Sequence, residues 1–360
     1  MRETPDQGRS LLGRCAAALL AACALASPTR ANPVADFYRG RTITLVVGYG
    51  PSGGYDLVAR MVARHLGRHI PGHPSIVVQN MPGAGSLRAT NWLYSVAPRD
   101  GTVIGIFARD MPLLAILGTN RAATFDPRKF TWIGSASDFS RDAYLLMVRS
   151  DAPAHTIEDA RRAGGPPIVL GGTALGAAGS DVPILLRDTL GINIKLVDGY
   201  LDSGAIFLAV DRGELNGRTV DLSSMKSFRP AWMTPGGGMR ALVQFARATR
   251  HPEFADVPTA RELARTDEGR ALVELAELSY RITRPFVAPP DVPAERAKAL
   301  QDAFMAVHKD TAYLDEAARL RMEVSPIDSR AALDTIDRIA AAPPKVLDDL
   351  RRIMTPGKGG

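Results

Sequence analysis

Residues 42–54 read Thr-Ile-Thr-Leu-Val-Val-Gly-Tyr-Gly-Pro-Ser-Gly-Gly, a short β-branched run that leads directly into a glycine-rich turn. The run is typical of a buried strand, and the apolar residues over 55–69 recur at the spacing of one helix face. The same order of strand, glycine-rich turn and helix occurs twice more, with turns at 82–86 and 171–180. This alternation predicts parallel sheets with helices on both faces.

The rest of the chain continues the alternation. Further strands are predicted at 75–79, 102–107, 130–135, 143–148, 167–171, 192–197, 218–222, 242–245 and 282–288. The C-terminal part is mostly helical, because its apolar residues recur at helical spacing. The segment Pro-Gly-Gly-Gly at 235–238 is the point where the chain is expected to cross between two lobes.

The composition excludes several classes of protein. Of the 360 residues, 46% are hydrophobic and 23% are charged, which excludes a largely disordered chain. No apolar run reaches the ~18 residues that a membrane-spanning helix requires. The net charge of +6 is spread without a block of like charges, so no nucleic-acid partner is expected.

The first 31 residues have the pattern of a secretory signal peptide. Three arginines precede an apolar run at 15–26, and small residues that suit a cleavage site follow it. Removal of residues 1–31 leaves 40 basic and 36 acidic residues, a net charge of +4, and no cysteine. A secreted chain without disulfides suits a large periplasmic domain. Alternatively, residues 20–23 (Leu-Ala-Ala-Cys) form a lipobox, in which case Cys23 is lipidated and anchors the protein.

The three glycine-rich turns are the strongest candidates for a ligand site. Glycine lets backbone N–H groups turn towards a ligand, and the helix start behind each turn adds unpaired donors. In open parallel sheets such turns meet at the carboxyl edge of the strands, where ligands bind. The turns therefore predict an anion site made largely of main chain. The alternative is that they are tight connections without a ligand.

One competing motif in the first turn is a dinucleotide-binding fingerprint. Gly48, Gly50 and Gly53 have its spacing after a strand. The fingerprint also needs an acidic residue about 20 positions on to hold the ribose. Nothing acidic lies between Asp56 and Asp100. A nicotinamide cofactor is therefore not expected.

A second competing motif is the nucleophile elbow G-x-S-x-G of secreted hydrolases, which residues 50–54 match. In that fold the elbow comes after strands that supply the oxyanion hole, whereas here it follows the first strand. The partner histidine would be His251 or His308, neither in a recognisable context. A secreted serine hydrolase that uses Ser52 is kept as the alternative function.

Three histidines at a spacing of four could suggest a metal site. His65 and His69 share a helix face, but His73 follows a Pro-Gly pair that ends the helix, and no HExxH glutamate is present. Cationic groups near a helix C-terminus are favourable in any case. We expect solvated histidines and no metal.

Several stretches occur together that are specific only in combination. They are residues 42–56, Val-Val-Gln-Asn-Met-Pro-Gly-Ala-Gly at 77–85, Ala-Pro-Arg-Asp-Gly-Thr at 97–102, Asp-Val-Pro-Thr at 256–259 followed by Glu262, and Phe-Val-Ala-Pro-Pro-Asp-Val-Pro at 286–293. They resemble the tripartite tricarboxylate transporter substrate-binding proteins, also called Bug receptors, over residues 37–350. The resemblance implies an α/β periplasmic binding protein of the two-lobed Venus flytrap type. It would close on a small carboxylate and offer it to a membrane transporter or serve a related sensory system.

Carried over onto this sequence, the resemblance makes the three turns the carboxylate-holding loops. The implied ligand-binding residues are Tyr49, Gly50, Pro51, Ser52, Gly53, Gly54 and Asp56 of the first loop, Gly83, Ala84, Gly85 and Ser86 of the second, and Thr173, Gly176, Ala177, Gly179 and Ser180 of the third. Asp56 is expected to hold the turn rather than the ligand, since a carboxylate would repel an anion.

The sequence departs from the family pattern in the half of the site that would select the ligand. Residues 179–183 lack the histidine that often follows the third loop, and 198–204 and 216–220 replace two further segments. The substrate is therefore not implied. Arg218 is a candidate clamp for the ligand, because its planar fork matches a carboxylate. The alternative is an exposed or structurally paired arginine.

The predicted lobe 1 comprises residues 33–140 and 240–360, and lobe 2 comprises 141–239, with a hinge between them and a mostly parallel sheet in each. One continuous sheet is the alternative architecture. We expect a monomeric periplasmic receptor that is not an enzyme and has no cofactor. Its expected partners are a small organic carboxylate and membrane transporter subunits.

Overall fold

The computed structural model describes residues 32–51, 53–234 and 236–355. The predicted signal peptide with Cys23, as well as Ser52 and Pro235, lies outside these residues. Among the helices of the described segments, none combines the length and apolar character that a bilayer crossing requires.

Strands and helices alternate along most of the described chain. The strands are β1 Thr42–Val47, β2 Ser75–Asn80, β3 Val103–Ile106, β4 Thr131–Ser135, β5 Tyr144–Arg149, β6 Ile168–Gly171, β7 Ile194–Val197, β8 Gly217–Asp221, β9 Met239–Phe245, β10 Pro285–Ala288 and β11 Ile327–Asp328. The helices are α1 Pro33–Tyr38, α2 Gly54–Leu66, α3 Leu87–Ser95, α4 Met111–Leu117, α5 Ile157–Ala160, α6 Ala178–Leu190, α7 Ser203–Asp211, α8 Leu222–Phe228, α9 Ala260–Leu263, α10 Asp267–Glu277, α11 Ala294–Val307, α12 Thr311–Arg319, α13 Ser329–Ala340 and α14 Pro344–Met354.

The first sheet has the strand order β11-β4-β10-β3-β1-β2. Strand β1 is parallel to β2 and β3, as the alternation predicts. Its side chains alternate between two cores, with Ile43 and Leu45 packed among α2, α11 and α12 and Val46 packed among α3, α4 and α13. Burial on both faces explains why the end of the strand, at 45–47, is continuously apolar.

The second sheet has the order β7-β6-β8-β5-β9. Strand β6 is parallel to β7 and β8, and β5 is antiparallel to β8 and β9. Helices α6, α10 and α14 cover one face, and α7 and α8 cover the other. The protein thus has the two-lobed α/β fold of periplasmic binding proteins rather than one continuous sheet.

The chain crosses between the sheets in two segments that lie side by side. One follows β4 and the other precedes β10. The Ala136 N–H donates to the Arg284 carbonyl at 3.1 Å, and the Phe139 N–H donates to the Tyr280 carbonyl at 2.9 Å. These hydrogen bonds join the two crossings into a short ladder at the place where a hinge is expected, and this ladder is called the hinge region below.

The structure corrects three sequence predictions about this architecture. Each sheet is parallel in one half only, because β10 and β5 run antiparallel to their neighbours. Residues 236–238 do not cross between lobes, since they lead into β9, which pairs with β5 in the second sheet. The boundary at 240 therefore comes too early, and α9 and α10 also pack against the second sheet's elements. Helix α14 likewise packs on the second sheet, although the predicted lobe 1 includes it. The rest of the lobe assignment stays a prediction.

Four elements were missed from the sequence, namely α1, α4, α8 and β11. Helix α4 is apolar around most of its circumference, with Met111, Leu113, Leu114 and Leu117 all buried, so no amphipathic period marks it. Helices α1 and α8 and strand β11 are too short for a periodic pattern to be recognised.

Gly217, the first residue of the central strand β8, has no room for a side chain. A Cβ atom there would lie 2.1 Å from the Met147 carbonyl oxygen and 2.9 Å from the Val148 Cα. Because both are backbone atoms of β5, Gly217→Ala must displace a paired strand. We expect it to lower the free energy of unfolding by about 2–3 kcal/mol in urea denaturation.

Gly165→Ala is the matched control for this prediction. A Cβ atom on Gly165 would come no closer than 3.5 Å to the nearest atom, the Arg162 carbonyl oxygen. Its effect should stay within about 0.5 kcal/mol. Equal effects of the two substitutions would contradict the steric argument.

Candidate functional site

A cleft lies between the two lobes, at the carboxyl ends of β1, β3, β6 and β8. It is lined by Tyr49, Gly53, Gly54, Tyr55, Arg109, Tyr144, Thr173, Ala177, Ala178, Gly179, Asp202, Ser203, Ile206, Arg218, Val220, Asp221, Ser224 and Arg284. Ligands of open α/β sheets bind at this edge. Both lobes therefore contribute side chains to one site.

The lobes are in contact across this cleft. A Cβ atom on Gly50 would lie 2.5 Å from Asp202 Oδ2, and one on Gly54 would lie 2.5 Å from Ser224 Oγ. The cavity that remains has a volume of about 60 Å³. The arrangement is therefore a closed one, and glycine at these two positions permits the close approach.

An ion pair joins the lobes inside the cleft. Arg284 Nη2, from the segment before β10, lies 3.2 Å from Asp221 Oδ1 at the end of β8, and the side chains are 1% and 9% exposed. Burial alone would raise the pKa of Asp221, but the cations Arg284 and Arg109 hold it below its ordinary value. Asp221 also accepts a hydrogen bond from the Ser224 N–H at the start of α8. The carboxylate thus stays ionised and supports both contacts.

Arg218 reaches the cleft, but its hydrogen bonds stay within the second lobe. Its Nη1 donates to the Ser203 carbonyl at 2.9 Å and its Nη2 to the Ser203 hydroxyl at 3.1 Å. Its guanidinium lies 4.2 Å from the Phe207 ring centroid. Burial lowers its pKa to about 10, so it remains protonated at neutral pH. These contacts position the first turn of α7, and a clamp on the ligand stays a prediction.

Arg109 enters the cleft from the end of β3. The Tyr55 hydroxyl accepts hydrogen bonds from its backbone N–H at 3.0 Å and from its Nε at 3.2 Å. Burial raises the pKa of the neighbouring Tyr144 to about 12, so that phenol is neutral. The cleft therefore contains three guanidinium groups, on Arg109, Arg218 and Arg284, against two lining carboxylates.

The first loop is held by a polar network behind the cleft. Asp56 accepts from Arg60 Nε and from Asn80 Nδ2, both at 2.9 Å. Asn80 Nδ2 also donates to the Tyr49 carbonyl at 2.9 Å. Asp56 thus supports the loop, whereas Tyr49, Gly53 and Gly54 line the cleft and Gly50 and Pro51 do not. Ser52 lies outside the described residues.

The second loop, Gly83, Ala84, Gly85 and Ser86, lies behind the first and does not line the cleft. The Ser86 Oγ accepts from the Ala108 N–H at 3.1 Å, and the Tyr49 hydroxyl donates to the Gly85 carbonyl at 3.4 Å. A Cβ atom on Gly48 would lie only 1.8 Å from Ser86 Oγ. The loop therefore positions the first loop instead of lining the cleft itself.

Some predicted residues of the third loop line the cleft, and others stabilise the helix that follows the loop. Thr173, Ala177 and Gly179 line the cleft. The Gly176 N–H donates to the Asp181 carboxylate at 2.9 Å, and the Ser180 hydroxyl donates to the Asp198 carboxylate at 2.5 Å. These two residues stabilise the start of α6.

Sequence reasoning missed most of the charged lining. Arg109, Asp202, Asp221 and Arg284 were not predicted, although Asp202 lies in the segment that departs from the family pattern. Arg109 and Asp221 stand at the carboxyl ends of strands, which was the one available signal. Arg284 precedes β10 and carries no local signal.

No histidine is among the residues that line the cleft in the described chain. His65 in α2 lies 2.6 Å from Glu316 Oε2 in the interior of α12. His69, just after α2, lies 2.8 Å from Asp310 Oδ2 at the start of α12. Both contacts join the end of α2 to α12. His251 Nδ1 accepts from the Glu253 N–H, and His308 Nδ1 lies 2.7 Å from the Phe304 carbonyl. The arrangement gives the serine hydrolase alternative no support.

The comparisons with known proteins agree with this geometry. No protein-family model matches the chain. A curated relative, the UPF0065 protein in the gbd 5′ region of Cupriavidus necator, is 28% identical over 331 residues, which are 88% of this chain and 90% of the relative. The structure of the periplasmic binding protein BugD matches with a TM-score of 0.69 at 18% identity, covering 88% of this chain and 98% of that one. The chain is similar to the Bug solute-binding proteins.

A second structure, MatC from Rhodopseudomonas palustris with bound malate, matches with a TM-score of 0.65 at 18% identity. It covers 88% of this chain and 99% of that one. The resemblance seen in the motifs is thus confirmed. Because the sequence identities to these structures are low, the matches establish only that this chain has the fold of the Bug proteins. They do not identify its ligand.

Two carboxyl groups from opposite lobes share a small cavity beside the cleft. Asp110 follows β3 in the first lobe, and Asp181 lies in the first turn of α6 in the second. Burial raises the pKa of Asp110 to about 6, and burial together with Asp110 raises that of Asp181 well above its ordinary value. Asp110 Oδ2 has no hydrogen-bond partner within the described chain. The pair therefore favours a protonated state.

The acid pair predicts that stability falls as pH rises. Because the folded-state pKa of Asp110 is raised, the stabilising protonated form is present at low pH and is lost as pH rises through about 6. Asp181→Asn removes the repulsion between the two groups. Between pH 5 and pH 8 the variant should lose about 1–2 kcal/mol less unfolding free energy than the wild type.

Denaturation curves at several pH values measure this difference. Asp315→Asn, at an exposed position of α12, is the control and should follow the wild-type profile. Parallel pH profiles of Asp181→Asn and the wild type would show that the two carboxyl groups do not interact.

Proposed function

We propose that the chain is a periplasmic receptor that captures a small organic anion, a carboxylate, by closure of its two lobes. The observation that carries this proposal is the lining of the cleft. Buried arginine side chains outnumber aspartates there, and the start of α2 faces the same space without a side-chain cap. An excess of buried positive charge is stabilised by an anionic ligand.

The fold supplies the motion that such a receptor needs. Two hydrogen-bonded crossings join the lobes, and the Arg284–Asp221 pair forms only when residues from both lobes meet. A ligand that touches both walls would add contacts that exist only in the closed form, which shifts the population towards closure. No covalent step is needed, so the protein is proposed to bind and not to turn over its ligand.

The relatives support the same role. BugD is a periplasmic binding protein, and the MatC structure contains bound malate. The signal-peptide pattern at residues 1–31 fits export to the periplasm. We propose that the chain acts there as a monomer and delivers its ligand to a tripartite tricarboxylate-type transporter.

A thermal-shift screen of mono-, di- and tricarboxylates on the mature protein tests this function. A ligand at about 100 times its Kd should stabilise the protein by about 2.7 kcal/mol and raise its Tm. Small-angle scattering should show compaction with the same ligand. If no organic acid raises the Tm, the receptor function is refuted. If the protein also hydrolyses no ester substrate, the hydrolase alternative has no support either.

A further inference from the structure

Arg109 differs from the other two arginines of the cleft in the partners that it has. Arg284 pairs with Asp221, and Arg218 bonds to both oxygen atoms of Ser203. Arg109 is 3% exposed, and its side chain donates to the Tyr55 hydroxyl through Nε. Its Nη1 is buried without a partner in the described chain. A buried guanidinium with an unused donor is costly unless a ligand completes it.

Aromatic rings surround this guanidinium. Its Cζ lies 4.7 Å from the Tyr280 ring centroid, 4.9 Å from Phe139, 5.2 Å from Tyr144 and 5.7 Å from Tyr55. Rings attract a cation through their faces, but they do not provide the in-plane acceptor oxygens that a guanidinium fork binds. The cage fixes the position of the charge and leaves its hydrogen-bonding edge unsatisfied.

The nearest acids do not neutralise Arg109 by contact. Asp110 is the next residue, but it lies with Asp181 in the neighbouring cavity and forms no salt bridge with Arg109 in the described chain. Asp221 is 3.2 Å from Arg284 and is engaged there. Arg109 thus acts on Asp110 and Asp221 through space only, and its buried Nη1 donor remains for a bound molecule.

The start of α2 provides donors at the same place. Gly53 and Gly54 line the cleft, and the N-cap Gly53 forms no side-chain capping bond. Tyr55, in the first turn of α2, holds Arg109 through its hydroxyl. On the opposite wall, Asp202 caps α7 and Asp221 caps α8, and only the start of α6 among the three described helices there lacks a side-chain cap. The free positive end of a helix and the free guanidinium therefore lie together on the first-lobe side.

We propose that Arg109 is the direct counterion of the ligand's carboxylate, and that the cleft selects acids with one carboxylate on an uncharged body. The second-lobe wall offers Asp202, Ile206 and Val220 beside Arg218, whose Nη1 and Nη2 already donate to Ser203. A second carboxylate would therefore meet an acid, apolar groups and an arginine whose fork is engaged. This inference rests on the proposed function, since it specifies the ligand of the same cleft.

Acetate, butyrate and succinate are the probes. Sodium acetate should raise the Tm of the wild type more than sodium chloride at equal ionic strength, and butyrate should bind more tightly than succinate in calorimetry. Arg109→Gln should lose the acetate effect and weaken butyrate binding by about 10- to 100-fold. Arg109→Lys keeps the charge without the planar fork and should lose less.

Arg161→Gln is the matched control. Arg161 is a partly buried arginine of the second lobe whose donors reach the Leu190 and Leu263 carbonyls, away from the cleft. Its substitution should lower Tm and leave the acetate and butyrate responses unchanged. If Arg109→Gln does not fold, Arg109→Lys decides, with an expected loss of at least about threefold.

Three results would overturn the inference. The first is a Tm increase of the wild type in acetate that is no larger than in chloride. The second is butyrate binding by a folded Arg109→Gln variant within threefold of the wild-type affinity. The third is tighter binding of succinate than of butyrate. In the last case, loss of the preference in Arg218→Ala would assign the second carboxylate to Arg218. A different result is an acetate effect that depends on Arg109 while no acid in the thermal-shift screen of carboxylates raises the Tm. That result would refute the receptor function but would support the carboxylate subsite at Arg109.

Discussion

Arg284 connects the hinge region to the cleft, and the closed arrangement depends on it. Its N–H donates to the Ser135 hydroxyl at 3.0 Å, its carbonyl accepts from Ala136, and its guanidinium reaches Asp221 in the other lobe. The desolvation of a side chain that is 1% exposed is offset only while Asp221 is in place. Its Nε nevertheless has no partner within the described chain. One residue thus couples the backbone of the crossing to the charge balance of the site.

That charge balance differs from the one that the glycine-rich turns suggest. The sequence predicts an anion site made mostly of backbone N–H groups, and the start of α2 fits that prediction. The starts of α7 and α8 do not, because the aspartates that cap them already supply negative charge. Positive charge comes instead from three guanidinium groups. Arg284 is held by an ion pair, Arg218 by hydrogen bonds to a serine, and Arg109 by surrounding aromatic rings.

The sequence predicts the elements of this fold better than it predicts the site. Strand β1, its turn and α2 are local features, so period and glycine placement suffice to find them. The antiparallel run of β10 and the return of β9 to the second sheet depend on contacts between distant residues, which no local pattern encodes. The same holds for the site, since Arg109, Asp202 and Arg284 become neighbours only when three distant segments pack together. The second loop shows the converse, because its glycines mark a backbone support and not a ligand contact.

The last helix adds a third covalent connection between the lobes. After α13 packs on β4 of the first sheet, the chain passes to α14, which buries Leu350 and Met354 against α6 and α10 of the second lobe. Arg351 Nε in α14 also donates to the Leu117 carbonyl at 2.6 Å, on the first-lobe helix α4. Two bodies tied at three separated points cannot twist freely about each other. A third connection reduces the freedom of the lobes to twist, so that any opening would keep Arg109 facing the second-lobe wall.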